Sequence, residues 1–163
     1  MLKMYRVAYR LCGTVDEAED LVQDVLVKLY PRRRDLENIE KIGPWLVKVL
    51  YRTFIDQRRR SSRSPLHLVQ NTNDEENYSL LESIPSEDSG PEEISQNIQI
   101  REKLLGAISS LNMDQQHICL LHDLEGYTLL ELEEILETPI GTLKSRLHRA
   151  RGSLRKLLQD ETF

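Results

Sequence analysis

Cysteine is scarce in this chain: Cys12 and Cys119 are the whole complement, far apart and with no Cys-x-x-Cys pair. That count excludes a disulfide framework and a cysteine-built zinc site. Long apolar runs are missing too; none approaches the roughly 18 residues that a membrane span needs. The first residues, Met1-Leu2-Lys3-Met4-Tyr5-Arg6, lack the apolar stretch of a secretory leader. The expectation is a cytoplasmic chain with no membrane insertion of its own. There is no Ser/His/Asp set, no glycine-rich phosphate loop and no convincing carboxylate pair, so neither an enzyme nor a cofactor is expected. His117, Cys119 and His122 do cluster, yet Ile118, Leu120, Leu121 and Leu124 around them mark the buried side of a helix. With no fourth ligand, a core helix is preferred over a metal site.

One stretch has no basic residue at all. Residues 64–99 hold eight Asp/Glu and no Lys/Arg, whereas residues 1–63 hold 14 Lys/Arg against nine Asp/Glu. Residues 100–163 hold eight Lys/Arg against ten Asp/Glu, so the net charge of -5 hides two segments with basic clusters around an acidic one. Ser, Asn, Asp, Glu and Pro dominate residues 64–99, with Pro65, Pro85 and Pro91 as breakers and no lasting helical period. A flexible acidic linker is expected there, with short apolar pieces at Leu66–Val69 and Leu80-Leu81 able to dock on a partner. Alternation of β-branched residues is too sparse anywhere for a sheet. The expected fold is therefore all-α, two small helical domains at 1–63 and 100–163 joined by the linker at 64–99.

In the first module Gly13-Thr14 breaks the helical pattern, and Thr14 or Asp16 can cap the next helix. Ala18, Leu21, Val22, Val25, Leu26 and Leu29 recur at three- and four-residue intervals, which places them on one face of a helix ending near Tyr30-Pro31. Glu17, Asp20, Gln23 and Asp24 fall mainly outside that stripe. After a polar interval from Arg32 to Gly43, a second amphipathic helix starts near Pro44. Its apolar face is read as Trp45, Leu46, Val49, Leu50 and Phe54, and it exits through Arg58, Arg59 and Arg60.

The second module reads as three helical pieces, about Arg101–Glu125, Thr128–Glu137 and Pro139–Leu158, interrupted at Gly126 and at Thr138-Pro139. Thr128 and Glu131 fit a capping box. Thr138 is placed to cap the last helix, with Pro139 at its first position. Two short helices across so tight a turn suggest a helix-turn-helix. On the last helix Ile140, Leu143, Leu147, Ala150, Leu154 and Leu157 gather on one side. Thr142, Ser145, His148 and Arg149 point away, with Lys144 and Arg146 on the flanks. From Gly141 to Lys156 there are six Lys/Arg and no acid. A solvated basic face would account for the charge alone. A capped helix with an apolar back and a basic, hydrogen-bonding front also suits the major groove. There Lys and Arg neutralise phosphates, while Ser, His and Arg read base edges.

Glu125-Gly126-Tyr127-Thr128, then Ile135-Leu136, then the run Pro139-Ile140-Gly141-Thr142-Leu143-Lys144-Ser145-Arg146-Leu147-His148-Arg149-Ala150-Arg151 closely resembles the C-terminal domain of extracytoplasmic-function (ECF) sigma factors of the sigma-70 family. Ala18-Glu19-Asp20-Leu21-Val22-Gln23-Asp24 resembles that family's core-binding helix. Trp45-Leu46, Val49, Asp56 and Arg59 resemble its promoter-melting helix. The resemblance implies a subunit that binds core RNA polymerase through Glu19, Asp20, Gln23 and Asp24, on a clamp coiled coil. It implies capture of an unstacked minus-ten base by the loop from Asp35 to Gly43 and Trp45, with Arg52, Arg58, Arg59 and Arg60 on nearby phosphates. Lys144, Ser145, His148 and Arg149 would read the minus-thirty-five element of promoter DNA, beside Thr142 and Arg146. An anti-sigma factor is a further expected partner. In such a protein the linker would thread through the polymerase, mimicking nucleic-acid charge, or act only as a solubilising tether.

Four departures from the family pattern stand out. The first helix begins almost at Met1, so the usual leading segment is short or absent. Arg52 stands where Asn is common, which would alter minus-ten preference. Glu133 replaces a small Ala near the helix crossing, and Glu137 replaces a Gly in the turn. Forced to positive φ, Glu137 would cost about 1 kcal/mol, and both changes would loosen the helix-turn-helix. Two other readings remain: a stand-alone helix-turn-helix regulator acting without core polymerase, and a decoy that kept only the fold.

Overall fold

The computed structural model describes residues 2–63 and 103–160, and these are helical with no strand among them. They belong to two compact units. The expected linker, with its apolar pieces, lies outside the described residues.

The first unit is a bundle of three helices in which each packs on the other two: α1 (Leu2–Cys12), α2 (Val15–Leu29) and α3 (Ile42–Arg63). Gly13 makes the reversal between α1 and α2 possible. Its φ of 90° is costly for any residue with a Cβ, and its N–H closes α1 on the Tyr9 carbonyl at 2.8 Å. Thr14 then caps α2, its hydroxyl accepting from the Glu17 N–H at 3.4 Å. The core is Val7, Ala8 and Leu11 from α1, Ala18, Leu21 and Val25 from α2, and Val47, Leu50 and Phe54 from α3.

Two details differ from the pattern-based expectation. Leu26 is 38% exposed, because α1 and α3 cover the side of α2 centred on Leu21 and Val25 and leave the edge of the apolar stripe open. On α3 the buried line runs through Val47, Leu50 and Phe54, while Trp45, Leu46 and Val49 are only half-buried. Side-chain polar contacts clasp α2 to α3. Thr53, buried at the seam, donates to the Val49 carbonyl at 3.0 Å and accepts from Lys28 Nζ at 3.2 Å. Gln57 Nε2 donates to Asp24 Oδ2 at 2.8 Å.

The second unit contains α4 (103–109), α5 (Met113–Cys119), α6 (Leu129–Ile135) and α7 (Ile140–Asp160). The piece expected as one helix from Arg101 to Glu125 is thus two, because Asn112 starts a new helix by accepting the Gln115 N–H at 3.0 Å. α5 runs on through a π-helical stretch, Leu120–Leu124, which ends at Gly126 with φ 76°. The core is built from Ile118, Cys119 and Leu121, from Leu132 of α6, and from Leu143, Leu147 and Ala150 of α7. His117 and Cys119 are part of that core, and His122 Nδ1 hydrogen-bonds the Tyr127 carbonyl at 2.6 Å.

This packing has two measurable outcomes. Glu137 has φ 50°, the one non-glycine residue in that region among the described residues. Glu137→Gly relieves about 1–2 kcal/mol of backbone strain and adds about 0.4–1 kcal/mol of unfolded-state entropy. Urea unfolding of the full chain is therefore expected to show a net gain of about 0.5–1 kcal/mol, and a loss would refute the strain. Burial, aided by the Asp123 carboxylate, pushes the Cys119 thiol from 9.0 up to about 11, and burial pushes Cys12 to about 12. Because the thiolate is the nucleophile, iodoacetamide at pH 8 should label Cys119 in the folded chain at least about 100-fold more slowly than in the urea-unfolded chain.

Candidate nucleic-acid interface

The helix-turn-helix begins with a complete capping box. The Thr128 N–H donates to Glu131 Oε2 at 2.8 Å, and the Glu131 N–H donates to Thr128 Oγ1 at 3.2 Å. The start of α7 is built differently from the expectation. Its first intrahelical bonds run from the Thr142 and Leu143 N–H groups to the Pro139 carbonyl, at 2.9 and 3.0 Å. Pro139 therefore takes the cap position, where Thr138 was expected, and proline has no side-chain acceptor to offer the free N–H groups. An acceptor comes from α6: Glu133 Oε1 receives the Ile140 N–H at 2.9 Å. The Glu133 departure thus ties the turn instead of loosening it.

The apolar back of α7 is buried at Leu143, Leu147, Ala150 and Leu154, while Ile140 and Leu157 at the two ends of the expected line are only half-buried. On the opposite side Lys144, Ser145, His148 and Arg149 are exposed together, and Thr142 is half-buried beside them. Ser145 donates to the Thr142 carbonyl at 2.9 Å and Arg149 Nε to the Ser145 carbonyl at 3.3 Å, which lays both side chains along the helix surface. Arg146 differs from its neighbours. Its guanidinium pairs with Asp114 of α5 at 3.0 Å and its side chain is only 30% exposed. Arg151 likewise grips Asp123 of the π-helical stretch at 2.5 and 3.4 Å. Of the residues singled out from sequence, the structure brings five to one open face and turns Arg146 toward the scaffold.

In the first unit Trp45, Lys48, Arg52, Asp56 and Arg59 succeed one another at three- and four-residue intervals on the outward side of α3, and Arg60 is exposed beside them. Arg58 is set apart from this line: its guanidinium lies 5.3 Å over the ring of Phe54. Lys48 escaped the sequence reading, although its spacing from Trp45 and Arg52 is the signal that finds it.

On α2, Glu19, Asp20, Gln23 and Asp24 are all exposed. Asp24 is held by Gln57, so it is presented in a fixed orientation. The acidic face continues into an apolar one that sequence reasoning missed, with Val27 72% and Tyr30 68% exposed. Arg33 stacks 4.8 Å over the Tyr30 ring and donates to its carbonyl at 3.2 Å.

The comparisons with known proteins agree with this arrangement. The model of Sigma-70 region 2 matches residues 2–64, and that of Sigma-70, region 4 matches residues 101–154. The ECF RNA polymerase sigma factor SigW of Bacillus subtilis is 28% identical over 158 residues, covering 97% of this chain and 84% of that protein. The ECF RNA polymerase sigma factor SigE of Mycolicibacterium smegmatis is 31% identical, covering 96% of this chain and 57% of its own length. Among solved structures, the sigma factor RpoE in its complex with the anti-sigma factor NepR, from Bartonella quintana, shares the fold with a TM-score of 0.66 at 24% identity. That match covers 96% of this chain and 89% of RpoE. With both regions matched in order and ECF relatives along nearly its whole length, the chain belongs to the sigma-70 family, in its ECF group.

Proposed function

We propose that this chain binds core RNA polymerase and directs it to promoters, recognising and melting promoter DNA without catalysing a reaction itself. The observation that carries the reading is α7. It exposes Lys144, Ser145, His148 and Arg149 on one side of a helix whose other side is locked into a helix-turn-helix. Such a face fits a major groove, with Lys144 and Arg149 on phosphates or guanine edges and Ser145 and His148 as shorter hydrogen-bonding groups. On this reading residues 100–163 take the minus-thirty-five element, residues 1–63 take core polymerase and the minus-ten element, and residues 64–99 tether them.

The roles in the first unit divide by face. The α2 surface with Glu19, Asp20, Gln23 and Asp24 offers negative charge to a basic element of the polymerase, and the exposed Val27 and Tyr30 add apolar area beside it. The half-buried Trp45 would stack on an unpaired base, and Arg52, Arg59 and Arg60 would hold the flanking phosphates. Arg58, over Phe54, is the weakest candidate for a phosphate contact. RpoE is known in complex with an anti-sigma factor, and an inhibitory partner of that kind is proposed here too. The proposed compartment is the cytoplasm, where core polymerase is found; no helix among the described residues is long and apolar enough to cross a membrane. A stand-alone regulator is less favoured, since it leaves the acidic face of α2 without a partner.

The test is run-off transcription from a promoter library by core polymerase, with and without the chain. Transcripts that depend on the chain, and that fall at least ten-fold with Lys144→Ala/Arg149→Ala, are expected. Each lost contact is worth about 1–3 kcal/mol. If core polymerase is not bound while duplex promoter is, the stand-alone regulator replaces this reading.

A further inference from the structure

The Glu133 bond to the Ile140 N–H joins the two helices of the helix-turn-helix across their turn. The backbone at Glu133 is itself fixed: Leu132 beside it is fully buried, and Glu131 is held in the capping box with Thr128. Pro139, at the cap, can offer the first turn of α7 no side-chain acceptor. The half-buried Glu133 carboxylate does so from seven residues back, and it also places negative charge at the positive end of the α7 dipole. The same first turn carries Thr142, and Lys144 and Ser145 come directly after it. In recognition helices the N-terminal residues are the ones that meet base edges.

We infer that Glu133 is a positioning residue for promoter readout, fixing how the first turn of α7 is presented to the groove. The inference rests on the proposed role of α7 at the upstream promoter element. Glu133 touches no DNA in this scheme; it sets the pose of Thr142, Lys144 and Ser145 through the backbone at Ile140. A carboxylate is not essential for that. The neutral amide in Glu133→Gln keeps an acceptor oxygen of the same reach, whereas Glu133→Ala removes it.

The experiment uses core polymerase with the full chain at saturation, on two templates, one with its upstream element intact and one with that element scrambled. The quantity read is the ratio of the two transcripts, with a thermal melt of each variant alongside. Glu133→Ala is expected to lower the ratio about five-fold, the equilibrium effect of a lost helix cap, while Glu133→Gln stays within about two-fold of the parent. A merely stabilising role would lower the melting temperature and both transcripts alike, leaving the ratio unchanged, and that result overturns the inference. So does a ratio that falls as far in Glu133→Gln as in Glu133→Ala, since charge and not the hydrogen bond would then be responsible. Arg149→Ala separates the two levels. If its ratio is also unchanged, the upstream-element reading fails and takes this inference with it. If its ratio collapses while that of Glu133→Ala holds, the inference alone fails.

Discussion

A helix with six cations and no acid between Gly141 and Lys156 cannot balance its own charge, and the architecture around α7 answers that constraint. Within that run there is no counter-charge, and three acids from other elements meet the helix at three heights. Glu133 of α6 meets the first turn, Asp114 of α5 meets Arg146, and Asp123 of the π-helical stretch meets Arg151. Exposed ion pairs of this kind contribute little stability singly. The burial of Leu143, Leu147 and Ala150 supplies most of the docking energy, and the acids fix rotation and register. The cations left over are those on the open side.

The first unit solves a related problem with the charges reversed. α2 has to show acids on one face while packing a fully apolar one, and α3 has to show cations while packing against α2. Their seam carries neutral or mixed contacts, Thr53 with Lys28 and Gln57 with Asp24, which satisfy polar groups between the two helices. The two charged faces share one core, which α1, α2 and α3 build together.

Legibility in the sequence was confined to features lying within one turn of helix. The Thr128–Glu131 box, the Thr14 cap and the buried line of α7 from Leu143 to Leu154 all derive from three- and four-residue spacing, and these stand as expected. The Glu133–Ile140 bond spans a turn whose geometry is set by packing, so the same residue looked like a defect. Arg58 and Arg146 carry the same side chain as their neighbours and differ only in what lies opposite, Phe54 in one case and Asp114 in the other. Leu26 obeyed the helical period but sits at the edge of the stripe, where coverage depends on the neighbouring helices. The Asn112 start had a readable signal, an Asn with Gln three residues later, and was hidden by the apolar residues continuing past it.

The pairing of Arg146 and Arg151 with acids bears on how such a protein would respond to ionic strength. Binding to DNA releases counter-ions condensed on the phosphates, and the salt sensitivity of the affinity counts the phosphates neutralised. Two of the six cations on α7 are already satisfied within the fold, leaving Lys144, Arg149, Arg155 and Lys156. This helix can then contribute a logarithmic salt slope no steeper than about -4. Its contact with promoter DNA would draw proportionately more on shape and hydrogen bonding than its raw charge suggests, and would fade less as salt rises.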